Sequence, residues 1–151
     1  MRPIHHAIDV SAPPAIAWAV LTDLQRWPAF FPYAVAARPL EGTPWVQGGG
    51  FVLELAVTTS RRLEVSLEVT AIDPPRLLRL RGRGFGVRGE HRYTIEGRGP
   101  WTRVTFHDEL GGAAARLLPT ALWERLDRLA HRSIADFARL VEAQVSAGSG
   151  G

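Results

Sequence analysis

The stretch PTALWERLDRLAHRSIADFARLVEAQV, residues 119–145, decides the architecture. Leu122, Leu126, Leu129, Ser133, Phe137 and Leu140 recur at spacings of four, three, four, four and three, which draws one continuous stripe on a helix. Trp123, Ala130, Ile134 and Val141 widen that stripe, while arginines and carboxylates occupy the other faces. At about 1.5 Å per residue the helix runs roughly 40 Å, long enough to cross a whole sheet. A helix with one apolar face needs an apolar surface to cover.

The residues upstream supply one. Leu63, Val65, Leu67, Val69 and Ala71 alternate with Glu64, Ser66, Glu68 and Thr70, the period of a half-buried strand. The same alternation places Phe51, Leu53, Leu55 and Val57 on one face, and likewise Leu78 with Leu80, His91 with Tyr93 and Ile95, and Val104 with Phe106. Turn residues at 73–75 and 97–100 separate these runs, so an antiparallel meander is expected. A weaker strand at 35–40 carries Pro39 and belongs at an edge. Before it, Ile4, His6, Ile8 and Val10 alternate as a first strand, and Ser11 with Pro13 and Pro14 opens an apolar helix at 15–24. A second short helix at 24–27 and an aromatic loop, Phe30 to Tyr33, follow. Gly82, Gly84, Gly86 and Gly89 suit a strongly curved sheet.

The 151 residues, 46% hydrophobic and 22% charged, suit one globular domain over 1–145 with a flexible tail at 146–151. With no cysteine, disulfides, thiolate metal sites and thiol catalysis are excluded. All 18 basic residues are arginine and the formal net charge is only +3, which makes no case for nucleic acid. No run approaches the length of a membrane span, and no signal-type apolar core opens the chain, so a cytoplasmic protein without stable membrane insertion is expected.

In sequence order this α+β plan resembles the START-like helix-grip superfamily, also called SRPBCC or polyketide cyclase/dehydrase-like. The resemblance rests on Ser11-Ala12-Pro13 leading to Ala17-Trp18 and Leu21-Thr22-Asp23, then Trp27-Pro28 and Phe31-Pro32. It continues in Glu68-Val69-Thr70 before Pro74-Pro75-Arg76-Leu77, and in Thr102-Arg103-Val104-Thr105 before the terminal helix. It implies a strongly curved antiparallel sheet of about seven strands wrapped around the long C-terminal helix, with two short helices after the first strand. A deep apolar cavity between sheet and helix is implied as well. The function implied is binding or carriage of a small hydrophobic ligand, a lipid, quinone or polyketide-like aromatic, with an aromatase/cyclase-like enzyme as the alternative. Family cyclases place an Arg on inward strand positions; the strand at 63–71 presents none there, which favours the carrier. No cofactor, metal or catalytic residue is expected, and oligomeric state is not legible.

Candidate ligand contacts follow from inward strand positions, the aromatic loop and the helix stripe. They are Trp27, Phe31 and Tyr33 at the entrance, Phe51, Leu53 and Leu67 on the sheet, His91, Tyr93 and Phe106 beside them, and Leu126, Ser133 and Phe137 on the helix. His91 beside Tyr93 stands out, because imidazole and phenol can orient a carbonyl or phenol in an apolar pocket. His5 and His6 point to opposite faces and cannot share a metal. The arginines at 79, 81 and 83 are expected on the solvated face, opposite Glu68, Ser66 and Glu64 respectively.

Overall fold

The computed structural model describes residues 2–56, 58–84, 87–112 and 114–149. Strand β1 (Arg2–Val10) leads into α1 (Pro14–Leu21), a 3-10 turn (Leu24–Arg26) and α2 (Trp27–Phe30). Six strands follow: β2 (Ala34–Pro39), β3 (Gly50–Ala56), β4 (Arg62–Asp73), β5 (Leu77–Gly84), β6 (Val87–Arg98) and β7 (Trp101–Gly111). A 3-10 turn (Ala114–Leu117) then leads into α3 (Thr120–Ser149). Val57 and Gly86, read above as a strand position and a kink, lie outside the described residues.

All seven strands join one antiparallel sheet in the order β1-β7-β6-β5-β4-β3-β2. Consecutive strands from β2 to β7 are neighbours, as short turns require. β1 closes the far side against β7, which leaves β2 with Pro39 at the opposite edge. The alternating residues do what their period demands: Val10, Phe51, Leu53, Leu67, Val69, Leu78, Leu80, Ile95 and Val104 are all buried. Thr102 is the polar exception on that face; its hydroxyl donates to the carbonyl of Ala12 at 2.6 Å and pins the segment entering α1. On the other face Arg103 pairs with Asp9 at 2.9 Å, and that guanidinium holds the Asp9 carboxyl below the usual carboxylate range.

α3 packs against β1, α1 and α2. Ile134, Phe137, Ala138 and Val141 are buried along it, while Leu126, Leu129 and Leu140 are half-buried and Leu122 is exposed. The buried seam is therefore rotated slightly towards Ala138 from the stripe drawn on leucines. The helix also continues through Ser149, so the expected tail is helical up to that residue. This is the helix-grip arrangement: a curled sheet, a long C-terminal helix, and short helices after the first strand.

One local register differs from expectation. An irregularity in β4 between Val69 and Ala71 turns Ala71 outwards, opposite Arg79, and sets Ile72 opposite Leu78 on the inner face. Glu68 consequently opposes Arg81 and Ser66 opposes Arg83, while Glu64 pairs with Arg38 on β2 at 3.0 Å. A strand bulge inserts one residue, and every cross-strand partner beyond it moves.

Candidate functional site

The β6/β7 register sets His91 opposite Asp108 and Tyr93 opposite Phe106, all four on the face that looks towards α3. Between that face, α3 and the loop after α2 lies a pocket of about 240 Å³. Ile4, Leu110, Leu126, Leu129 and Ala130 make much of its wall apolar. Phe31, Pro32 and Tyr33 form the loop side, and Ser133 of α3 adds a hydroxyl.

His91 is held from several sides. Gly82 and Gly89 are direct cross-strand partners, and a Cβ at Gly89 would stand 3.1 Å from His91 Nε2, so the glycine keeps that seat open. Phe106 stacks on the imidazole with ring centroids 6.1 Å apart and planes 13° from parallel, and Phe31 meets it edge-on. His91 Nδ1 lies 3.1 Å from Asp108 Oδ1, with both side chains nearly buried. The two atoms are close yet misaligned: neither has a hydrogen-bond partner among the described residues. Buried polar atoms left in this state cost about 1–3 kcal/mol each. The polar end of the pocket is thus unfinished.

Tyr93 completes this end. Burial, and secondarily the negative charge of Asp108, push its hydroxyl well above the usual phenol range. It remains a neutral donor at any physiological pH. At the mouth, Tyr33 adopts φ 63°, a left-handed conformation that a bulky side chain takes only under external restraint. The Ala56 N–H donates to the Tyr33 carbonyl at 2.8 Å, and Arg125 Nη2 of α3 donates to its hydroxyl at 2.8 Å.

Of the expected contacts, Phe31, Tyr33, His91, Tyr93, Phe106, Leu126 and Ser133 surround this pocket. Trp27, Phe51, Leu53, Leu67 and Phe137 do not; each is at most 1% exposed and packed solid. The reason is the short α2 and the loop carrying Trp45. Trp27 hydrogen-bonds to the Leu21 carbonyl and its ring meets Phe30, Phe51, Tyr93 and Trp45, so aromatic side chains fill that half of the cavity. Phe137 closes it against Phe30. Asp108 is the residue that the sequence reading missed. The signal was present: Val104, Phe106, Asp108 and Leu110 continue one alternation, so an inward Phe106 carries Asp108 inward with it. His107 faces outwards and contacts Glu109 at 3.2 Å and His5 at 3.5 Å.

The helix-grip fold thus holds a small apolar pocket with a single polar end beside its long helix. The chain belongs to the polyketide cyclase/dehydrase and lipid transport family, whose profile matches residues 1–142. Solved structures share the fold. Protein CV1439 from Chromobacterium violaceum superposes with a TM-score of 0.76 at 19% identity, covering 94% of this chain and 99% of its own. A START superfamily protein from Mycobacterium smegmatis gives 0.68 at 15% identity over 95% and 97% of the two chains. The di-domain ARO/CYC BexL from the BE-7585A biosynthetic pathway gives 0.74 at 17% identity over 94% of this chain and 47% of that one. No curated protein matches the chain by sequence. No helix among the described residues is long and apolar enough to cross a membrane.

Proposed function

We propose that the pocket beneath α3 binds a small hydrophobic molecule, up to three rings in size, that carries a hydroxyl or carbonyl group. The observation that carries this reading is the unpartnered pair His91 Nδ1 and Asp108 Oδ1, set into an otherwise apolar wall beside the Tyr93 hydroxyl. A ligand hydroxyl, which both donates and accepts, can complete those bonds, and a ligand carbonyl can accept from the Tyr93 hydroxyl beside them. The pocket of about 240 Å³ falls below the range of drug-sized sites, which favours a quinone or aromatic ring over a whole acyl lipid. Apolar burial at about 25 cal/mol per Å², less the association cost, puts affinity near the micromolar range. Titration with the fluorescent naphthalene N-phenyl-1-naphthylamine tests it: saturable uptake is expected, weakened by Leu126→Trp, which fills the pocket. No saturable uptake by the parent protein sinks the reading.

Cyclase-type chemistry is a second reading, favoured by the same constellation. An imidazole with a carboxylate oxygen 3.1 Å from its Nδ1 can take a proton from carbon beside a ketone once the two align, with the Tyr93 hydroxyl supporting the enolate oxygen. Exchange of the α-protons of 1-tetralone in D2O separates the two. Acceleration by the parent but not by His91→Gln supports catalysis; a background rate from both leaves a carrier.

A further inference from the structure

We infer that the cleft between the outer ends of β5, β6 and β7 and the 3-10 turn Ala114–Leu117 is a second binding site, for an anionic amphiphile. Arg83, Arg88 and Arg116 take its phosphate or carboxylate head, and Leu118 with Trp123 takes its apolar segment. The cleft measures about 780 Å³ and is separated from the pocket beneath α3 by Leu110, which lines both. The two sites therefore stand or fall independently.

Arg83 on β5 lies directly opposite Arg88 on β6. Like charges at directly opposed positions destabilise a sheet. Two carboxylates also line the cleft, and each has another partner: Glu90 faces Arg81, a fourth arginine of the lining, at 3.8 Å, and Glu109 contacts His107 at 3.2 Å. Among the described residues no carboxylate stands within ion-pairing distance of Arg83, Arg88 or Arg116. Arginines elsewhere on the surface do find partners, such as Arg38 with Glu64, Arg98 with Glu96 and Arg103 with Asp9. Three arginines thus line one concavity without a paired carboxylate among the described residues, and a local cost of that kind is the mark of an external partner.

The apolar side of the cleft narrows the partner's class. Trp123 and Leu118 line its apolar side. Arg79 and Arg92 oppose each other in the same way further along β5 and β6, but the depression they line offers no tryptophan or exposed leucine. A bare inorganic ion would have no use for the apolar side. The guanidinium fork matches phosphate and carboxylate oxygens in bidentate fashion, so an alkyl or aryl phosphate fits both halves of the cleft.

The test is isothermal calorimetry with octyl phosphate and 1-octanol, which share a chain and differ in head. At low salt the parent is expected to bind octyl phosphate about tenfold more tightly, with the preference shrinking at high salt. The variant Arg83→Gln/Arg88→Gln/Arg116→Gln is expected to lose the preference while keeping its uptake of N-phenyl-1-naphthylamine in the other pocket. Arg79→Gln/Arg92→Gln is expected to keep it. Equal affinity of the parent for the two octyl compounds, or loss of the preference in the Arg79/Arg92 variant instead, overturns the assignment. Co-sedimentation with phosphatidylglycerol vesicles then identifies the source of the head. Sedimentation lost in the triple variant assigns it to a bilayer lipid; a retained octyl phosphate preference without sedimentation assigns it to a free molecule.

Discussion

Replacing His91 and Asp108 together by leucine is expected to make the protein more stable. Nδ1 of His91 and Oδ1 of Asp108 are buried without hydrogen-bond partners, and each such atom costs about 1–3 kcal/mol. The two atoms lie only 3.1 Å apart, and exchanging a buried close pair of this kind for apolar side chains gains about 1–4 kcal/mol, repacking included. The adjacent pocket of about 240 Å³ gives the new side chains room. A net gain of about 1–4 kcal/mol raises the melting temperature by roughly 3–12 °C for a chain of this size. The single variant His91→Leu is expected to move the other way, by about 3 kcal/mol, because it strands the Asp108 carboxylate. Calorimetric melting of the parent, both single variants and the double variant reads all these terms. The reasoning is refuted if the double variant melts below the parent, since the pair would then hold the sheet together instead of awaiting a ligand.

Other consequences are more local. Phe137→Ala is expected to cost about 3–5 kcal/mol in denaturant unfolding yet leave N-phenyl-1-naphthylamine uptake unchanged, because Phe137 packs on Phe30 away from the pocket. Any rise in uptake shows that the packed half of the interior opens. The raised pKa of Tyr93 makes the folded state hold a proton that the unfolded chain releases. This contribution is complete below the ordinary phenol value and is lost as pH rises past it, by about 1.4 kcal/mol per pH unit. In Tyr33→Phe protein no phenolate absorbance is expected before alkaline unfolding; a normal titration there shows that Tyr93 is solvated. Arg125→Ala frees the Tyr33 side chain at the mouth, so stopped-flow entry of the same probe is expected to quicken severalfold. An unchanged rate removes Tyr33 from the entrance.

Much of this architecture was legible because two periods dominate the chain. Alternation in β4, β6 and β7 and the stripe on α3 are direct consequences of burying one face, so strand identity and the covering helix followed from residue spacing. Register around Ala71 did not, since a bulge leaves no mark in a run where Thr70, Ala71 and Ile72 tolerate either face. The site was half legible for a related reason. Inward direction could be read for Phe51, Leu53, Leu67 and Phe137, but whether an inward residue lines a space or fills one depends on what packs over it. Here Trp27 and Trp45 fill that end, and Trp45 sits in a loop without periodicity. Asp108 shows the opposite failure: its direction was readable from Phe106, yet a carboxylate reads as surface until its register partner His91 is known.

The central claim, a flat apolar ligand anchored by one polar group, is tested most directly by calorimetric titration of the parent with 1-naphthol and with naphthalene. The ring fills the same space in both, and only the hydroxyl meets His91, Asp108 and Tyr93. One site is expected for each, with 1-naphthol bound about tenfold more tightly, the worth of a hydrogen bond to a charged group. In the His91→Leu/Asp108→Leu protein naphthalene is expected to bind at least as well as 1-naphthol. Equal affinity of the parent for the two compounds, or no saturable heat with either, contradicts the account.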